Sequence, residues 1–269
     1  MSLHPIPVLL FEIIQDLRAR NRDRAPLIGV AGAQGSGKSY QCRILTMANQ
    51  PRFAHFSLDD VYLTRAARAD MATRVHPLFA TRGPPGTHDL ALAANTIEAL
   101  RRRHAIGVPL PRFDKATDDR VAKNDWPLFN GAPEAILVDG WCLGAAAPVE
   151  PVEDEPTAPI NDLERLEDAD GVWRRAINQH LRAGYRDFFA RFDAIVYMRA
   201  PSWEIVRTWR GQQEEQALGR KLTGDENASL DRFVMHYERI SRSMMAGHHS
   251  ANWIVQLDEA RKVTRIEEM

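Results

Sequence analysis

The stretch "GAQGSGKSY", Gly32 to Tyr40, matches the pattern G-x-x-x-x-G-K-S/T, which holds a nucleoside triphosphate. Gly32, Gly35 and Gly37 let backbone N–H groups turn inward and approach phosphates with no Cβ in the way. Ala33, Gln34, Ser36 and Tyr40 complete the cradle, and Lys38 is the candidate to reach the β- and γ-phosphates. The Ser39 hydroxyl is a candidate ligand for Mg²⁺. The loop follows the apolar run "PLIGVA" and opens a helical stretch, whose N-terminal dipole favours an anion. None of this says whether the terminal phosphate goes to water or to a second substrate.

Carboxylates elsewhere bear on that choice. The apolar run "AILVD" ends in Asp139, a candidate metal ligand, although an Asp-Gly pair can also shape a turn. "SLDDVYLT" puts Asp59 and Asp60 at another strand end, beside the phosphate loop. A carboxylate there can accept a hydroxyl proton and align the oxygen, and one of the two can instead cap a helix. Asp59 is the catalytic candidate and Asp60 a substrate-side one, with their roles left exchangeable. "HPLFATRGPPGTHDL" and "PRFDKATDDR" offer Arg82, His88, Lys115 and Arg120 on loops, suited to a small anionic substrate. Arg207 and Arg210, three apart in "RAPSWEIVRTWRGQQEEQ", share a helix face. Over the phosphates that face would neutralise charge, Arg210 on the transferring group and Arg207 on the nucleotide. No N-K-x-D base-reading motif occurs, which argues against a guanine-nucleotide switch.

The elements that must position these groups read as α/β. Apolar runs at 27–31, 53–58, 135–139, 194–198 and 252–257 predict five buried strands. Helices are expected at 38–49, 88–103, 161–191 with breaks near Gly171 and Gly184, 202–218 and 227–245. Their alternation predicts a parallel sheet with crossover helices. Leu9, Leu10, Ile13, Ile14 and Leu17 fall at helical spacing, so an amphipathic helix over about 6–22 packs on the body. The chain reads as a single domain over 1–269, with one Pro- and acid-rich loop at 145–159.

Composition removes several classes of function. Lysine and arginine number 35 against 36 acidic residues, for a net charge of -1, without the basic excess of a nucleic-acid binder. No apolar segment reaches the roughly 18 residues of a membrane span. Glu12 interrupts the first apolar run, which lacks the flanks of a signal peptide. The two cysteines, Cys42 and Cys142, lie outside any metal or disulfide spacing. A cytoplasmic protein, monomeric or homodimeric, is expected.

Taken with "ILVDGWCLG" and "LERLEDADGVWRRAINQHL", these stretches resemble the D-glycerate 3-kinase group of P-loop kinases. That group is similar in turn to uridine kinase, phosphoribulokinase and bacterial pantothenate kinase. The resemblance runs from about residue 26 to about 245, and "RGPPGTHD" with "DGW" and "DDVY" is its more specific part. It implies a three-layer P-loop NTPase fold with a five-stranded parallel sheet, flanking helices and a mobile lid. It implies ATP, Mg²⁺ and transfer of the γ-phosphoryl group to a small-molecule hydroxyl. By that likeness Asp59 and Tyr62 match the Asp and Tyr of a D-x-F-Y signature, with Val61 in place of its Phe. Asp139 matches the acid of the strand end, Asp114 and Arg120 match a substrate loop, and Arg207 and Arg210 fall in the lid. The leading expectation is therefore an ATP-dependent kinase, with D-glycerate the best single acceptor. A nucleoside, a pantothenate-like acid or a sugar phosphate is the alternative acceptor. A regulatory ATP-binding protein without transferase activity is a third reading.

Overall fold

A computed structural model describes residues 6–102, 107–147 and 158–269. Most of the Pro- and acid-rich loop expected at 145–159 lies outside the described residues. Helix α1 (Ile6–Arg20) buries Ile6, Leu9, Leu10, Ile13 and Ile14, the stripe expected from their spacing. It packs on α2 (Lys38–Ala48), which follows strand β1 (Leu27–Gly32). All six residues of β1 are buried, as a central parallel strand requires.

Strand β2 (Phe53–Ser57) stops one residue short of the expected end, because Leu58–Val61 turns into a 3₁₀ helix. Helix α3 (Arg65–Arg74), not expected from the sequence, precedes α4 (Leu90–Leu100). Its composition gives no apolar stripe, and Arg68 is its one buried residue. Two short antiparallel pairs follow, β3 (Val108–Pro109) with β6 (Leu128–Phe129), and β4 (Phe113–Asp114) with β5 (Asp119–Arg120). Strand β7 (Ala135–Gly140) is again wholly buried. The helical region after it is split into α5 (Asp162–Glu167), α6 (Val172–His180), a wide π turn at Leu181–Tyr185, and α7 (Arg186–Phe189). The chain closes with β8 (Ala194–Arg199), α8 (Trp203–Leu218), α9 (Gly224–Met245), β9 (Trp253–Leu257) and β10 (Val263–Glu268).

The main sheet has the order β10-β9-β8-β1-β7-β2. Its first five strands in the chain, β1, β2, β7, β8 and β9, are parallel, as expected. The sixth, β10, pairs antiparallel on the edge and was not expected, since "VTRIEE" alternates with charges rather than forming an apolar run. An edge strand has only one neighbour to bury against. Register matters most at the carboxyl ends, where Val30 pairs with Asp139 and Asp139 with Ser57. Ligands of open α/β sheets bind at that edge, where successive connections leave in opposite directions. Among the described residues no helix is long and apolar enough to cross a membrane.

Candidate active site

The phosphate loop spans the end of β1 and the start of α2. Gly35 and Gly37 have φ of 75° and 90°, in the left-handed region that favours glycine. Gly35 also lies under α8, where a Cβ would sit 2.6 Å from the Cβ of Trp209. The loop is thus held from above by helix α8 as well as from below by the sheet.

Asp139, wholly buried at the end of β7, gathers three donors. Ser39 Oγ donates to Oδ2 at 2.6 Å, Ser57 Oγ reaches the same oxygen at 3.3 Å, and His55 Nε2 lies 2.8 Å from Oδ1. Among the described residues His55 is the one basic side chain within salt-bridge distance of Asp139. A serine hydroxyl beside a carboxylate is a hard oxygen set that suits Mg²⁺. The sulfur of Cys42 and the donors of His55 and Asp139 also lie within 4.8 Å of one another. Burial and the neighbouring Asp139 push the Cys42 thiol well up, so it keeps its proton and the oxygen set fits better.

The adjacent acids separate into two roles. Asp60 Oδ2 accepts from the Ser57 N–H at 2.9 Å and from Arg112 Nη1 at 2.7 Å, closing a capping box around the 3₁₀ turn. Burial raises its carboxyl, with Arg112 opposing. Asp59 instead accepts from the Tyr62 hydroxyl at 2.8 Å and from Lys115 Nζ at 2.9 Å. Burial acts to raise Asp59, but Lys115 and Lys38 outweigh it and hold the carboxyl well below the usual range. The influence of Lys38 on Asp59 marks how near the acid stands to the phosphate loop.

Lys115 is at the tip of the β4–β5 hairpin, and Asp59 holds its ammonium above the usual lysine range despite burial. Asp114 shapes that tip by accepting from Ala116 N at 2.9 Å and Thr117 Oγ1 at 2.9 Å, so it serves the turn. Arg120 braces the hairpin, donating to the Tyr62 carbonyl at 2.7 Å and to Asp89 at 3.2 Å. Arg82 pairs with Asp118, which also takes Arg68 at 2.9 Å. Arg82 and Arg210 both act on the charge of Lys115, so three cations converge near Asp59. Arg210 pairs with Glu214 and lies over the Phe233 ring, 5.6 Å from its centroid. A cavity of about 470 Å³ opens beside Arg82 and Arg210, with Leu218, Leu222, Leu230 and Phe233 in its wall. Arg207 turns the other way, its Nε 2.6 Å from Asp231 and its Nη2 3.0 Å from Asn227, both on α9.

His88 is stacked on Tyr62 at 4.7 Å and its Nδ1 lies 2.6 Å from the Tyr185 hydroxyl. That hydroxyl already accepts from Gly86 N, so its own proton is available to Nδ1. Burial lowers the His88 ring to about 4, which keeps it neutral. The tautomer that satisfies Tyr185 leaves a buried Nε2–H with no partner among the described groups.

Two contributors escape the motif reading, His55 and Arg112. His55 carried a signal, a single imidazole in the apolar strand "FAHFSL" and two residues from Ser57, hence on the same face. Arg112 carried none, since it reaches Asp60 only through the tertiary fold.

A phosphate loop on a parallel sheet, with a hydroxyl–carboxylate pair and an acid at neighbouring strand ends, is the construction of a P-loop kinase. No family model matches the chain. It is 30% identical over 224 residues to the uncharacterized kinase mug58 of Schizosaccharomyces pombe, covering 78% of each chain. It is 28% identical to the chloroplastic D-glycerate 3-kinase of Arabidopsis thaliana over 80% of its own length, and spans about half (47%) of that protein. The solved D-glycerate 3-kinase of Cryptococcus neoformans superposes with a TM-score of 0.73 at 20% identity, over 99% of this chain and 100% of that one. The chain belongs to the family of kinases related to D-glycerate 3-kinase.

Proposed function

We propose that the chain transfers the γ-phosphoryl group of ATP to a hydroxyl of a small anionic acceptor, with D-glycerate the first to test. The observation that carries this reading is the ionised Asp59 carboxylate, held by Tyr62 and Lys115 beside the phosphate loop. In the proposed step the acceptor oxygen attacks the γ-phosphorus, and its O–P bond forms as the bond to the ADP oxygen breaks. The hydroxyl proton passes to Asp59. Lys38 and Arg210 neutralise charge on the transferring group. Ser39 and Asp139 would hold Mg²⁺, which would supply neutralisation of phosphate charge.

Arg82, Lys115 and Arg210 support an acceptor that carries a carboxylate or phosphate, and the unpartnered Nε2–H of His88 supports a further oxygen contact. D-glycerate follows from the names of the relatives. A second reading, a bulkier hydroxy acid or sugar phosphate, is favoured by the open space beside Arg82 and Arg210, two of these cations. Two free, buried thiols support a reducing compartment such as the cytosol. The test is ADP release with ATP and Mg²⁺ against a panel of D-glycerate, other hydroxy acids, pantothenate, nucleosides and pentose phosphates. Acceptor-dependent release is expected. Silence across the panel, from protein that binds MgATP, would turn the assignment toward a regulatory role.

A further inference from the structure

The turn between β9 and β10 reaches into the phosphate loop from outside the motif. Arg261 donates from Nε to the Gly35 carbonyl at 2.6 Å and from Nη2 to Gln212 Oε1 on α8 at 2.9 Å. The same guanidinium lies over the Trp209 ring, 4.9 Å from its centroid. Trp209 donates Nε1 back to the Glu259 carbonyl at 2.8 Å, and its main chain is the surface on which Gly35 rests. One side chain therefore joins three elements: the phosphate loop, the helix that carries Arg210, and the edge hairpin of the sheet.

The local backbone is arranged for this reach. Asp258 ties the turn, its N–H donating to Lys262 O and its carboxylate accepting from Lys262 N at 2.8 Å. Arg261 itself has φ of 64°, left-handed backbone that a glycine would occupy with less strain. Left-handed backbone is costly at an arginine, and the contacts at the far end of this side chain are what can offset it. Its contacts among the described residues are to a loop carbonyl, a side-chain amide and an indole, with no carboxylate among them. The N–H of the same peptide, on Ser36, donates to the Ala33 carbonyl at 3.2 Å, so the guanidinium fixes a peptide that turns the loop.

We infer that Arg261 is a positioning residue for the nucleotide: by clamping the Gly35 carbonyl to α8 it preorganises the phosphate loop for the anion. The inference rests on the loop being the nucleotide site. Preorganisation raises affinity by removing an ordering cost that binding would otherwise carry. It acts first on the nucleotide, and among the described residues Arg261 has no hydrogen bond to Asp59, Arg82, Lys115 or Arg210, so the acceptor side is expected to change less.

The test is calorimetric titration of the full chain with MgADP, alongside thermal melts and acceptor KM. Arg261→Gly removes the clamp and relieves the backbone, so the fold is expected to survive with its melting temperature little changed. MgADP affinity is expected to fall about tenfold, or about 1.4 kcal/mol, with acceptor KM within about twofold of wild type. Arg261→Lys keeps the charge but lacks the Nε donor and planar fork, so it is expected to bind no better than Arg261→Gly. MgADP affinity within twofold of wild type in Arg261→Gly overturns the inference. So does full recovery in Arg261→Lys, which would reduce the effect to bare charge. A nucleotide loss matched by an equal loss in acceptor affinity also overturns it. Wild-type protein that fails to bind MgADP would remove the nucleotide reading itself, a separate result.

Discussion

Removing the imidazole of His55 tests whether the buried carboxylate of Asp139 must be held from both sides. Ser39 and Ser57 both approach Oδ2, so His55 Nε2, at 2.8 Å, is the side-chain donor on Oδ1. Asp139 has no exposed surface, and water cannot replace the lost donor without opening the strand edge. A hydrogen bond to a charged group contributes about 1.5–3 kcal/mol, which corresponds to about 10- to 150-fold in an equilibrium or rate ratio. His55→Ala is therefore expected to lower kcat/KM by that range, with the deficit largest at low Mg²⁺, given the proposed role of Asp139 in holding the metal. His55→Gln carries an amide N–H at similar reach and is expected to recover most of the loss. The assay is coupled detection of ADP across a titration of free Mg²⁺, with circular dichroism melts to check the fold. A His55→Ala enzyme within twofold of wild type at every Mg²⁺ concentration would refute the reasoning. So would a His55→Gln enzyme as impaired as the alanine variant.

The two acids of the 3₁₀ turn are expected to diverge. Asp59→Asn should lower kcat by about 10²–10⁴ with MgATP affinity nearly intact by titration, whereas Asp60→Asn should mainly cost about 1 kcal/mol of stability as a weakened cap in urea melts. Gly35→Ala forces a Cβ against Trp209 in left-handed backbone, so a loss of about 1–2 kcal/mol and a lower kcat/KM are expected from melts and steady-state rates. Burial lowers His236, like His88, from 6.5 to about 4. Each ring therefore takes a proton more readily in the unfolded chain. Their contribution to stability is complete above about pH 6.5 and is lost as the pH falls toward 4, by up to about 3 kcal/mol for each. Urea midpoints followed across that window should fall, and His236→Leu should flatten the slope.

The strands that build the site were legible because a parallel strand covered on both faces must be an apolar run, as "LIGVA" and "AILVD" are. The phosphate loop was legible because its chemistry is local, nine residues in order. The split between Asp59 and Asp60 was not, since both sit at one strand end and only the tertiary contacts of Arg112 and Lys115 tell them apart. Arg207 and Arg210 share a helix face by spacing, yet the first is drawn to Asp231 and the second toward the cavity, a choice made by α9 and not by period. Asp114 and Arg120 have the residue types of a substrate loop but hydrogen-bond within the hairpin and its base. Arg261 left no trace in pattern or motif, because what defines it is a reach across the fold to residue 35.

The position of β1 in the sheet sets an order on assembly. Leu27 pairs with Ile136 on one side and Ile28 with Ala194 on the other, so both edges of this buried strand wait for partners far along the chain. A chain leaving the ribosome exposes "PLIGVA" long before either partner emerges, and pairing at such separation is slow. Until β7 and β8 flank it, the glycine-rich turn has no platform and cannot select for an anion. Nucleotide is thus available to the chain as a late folding ligand, one that captures the sheet once closed and rewards no earlier intermediate.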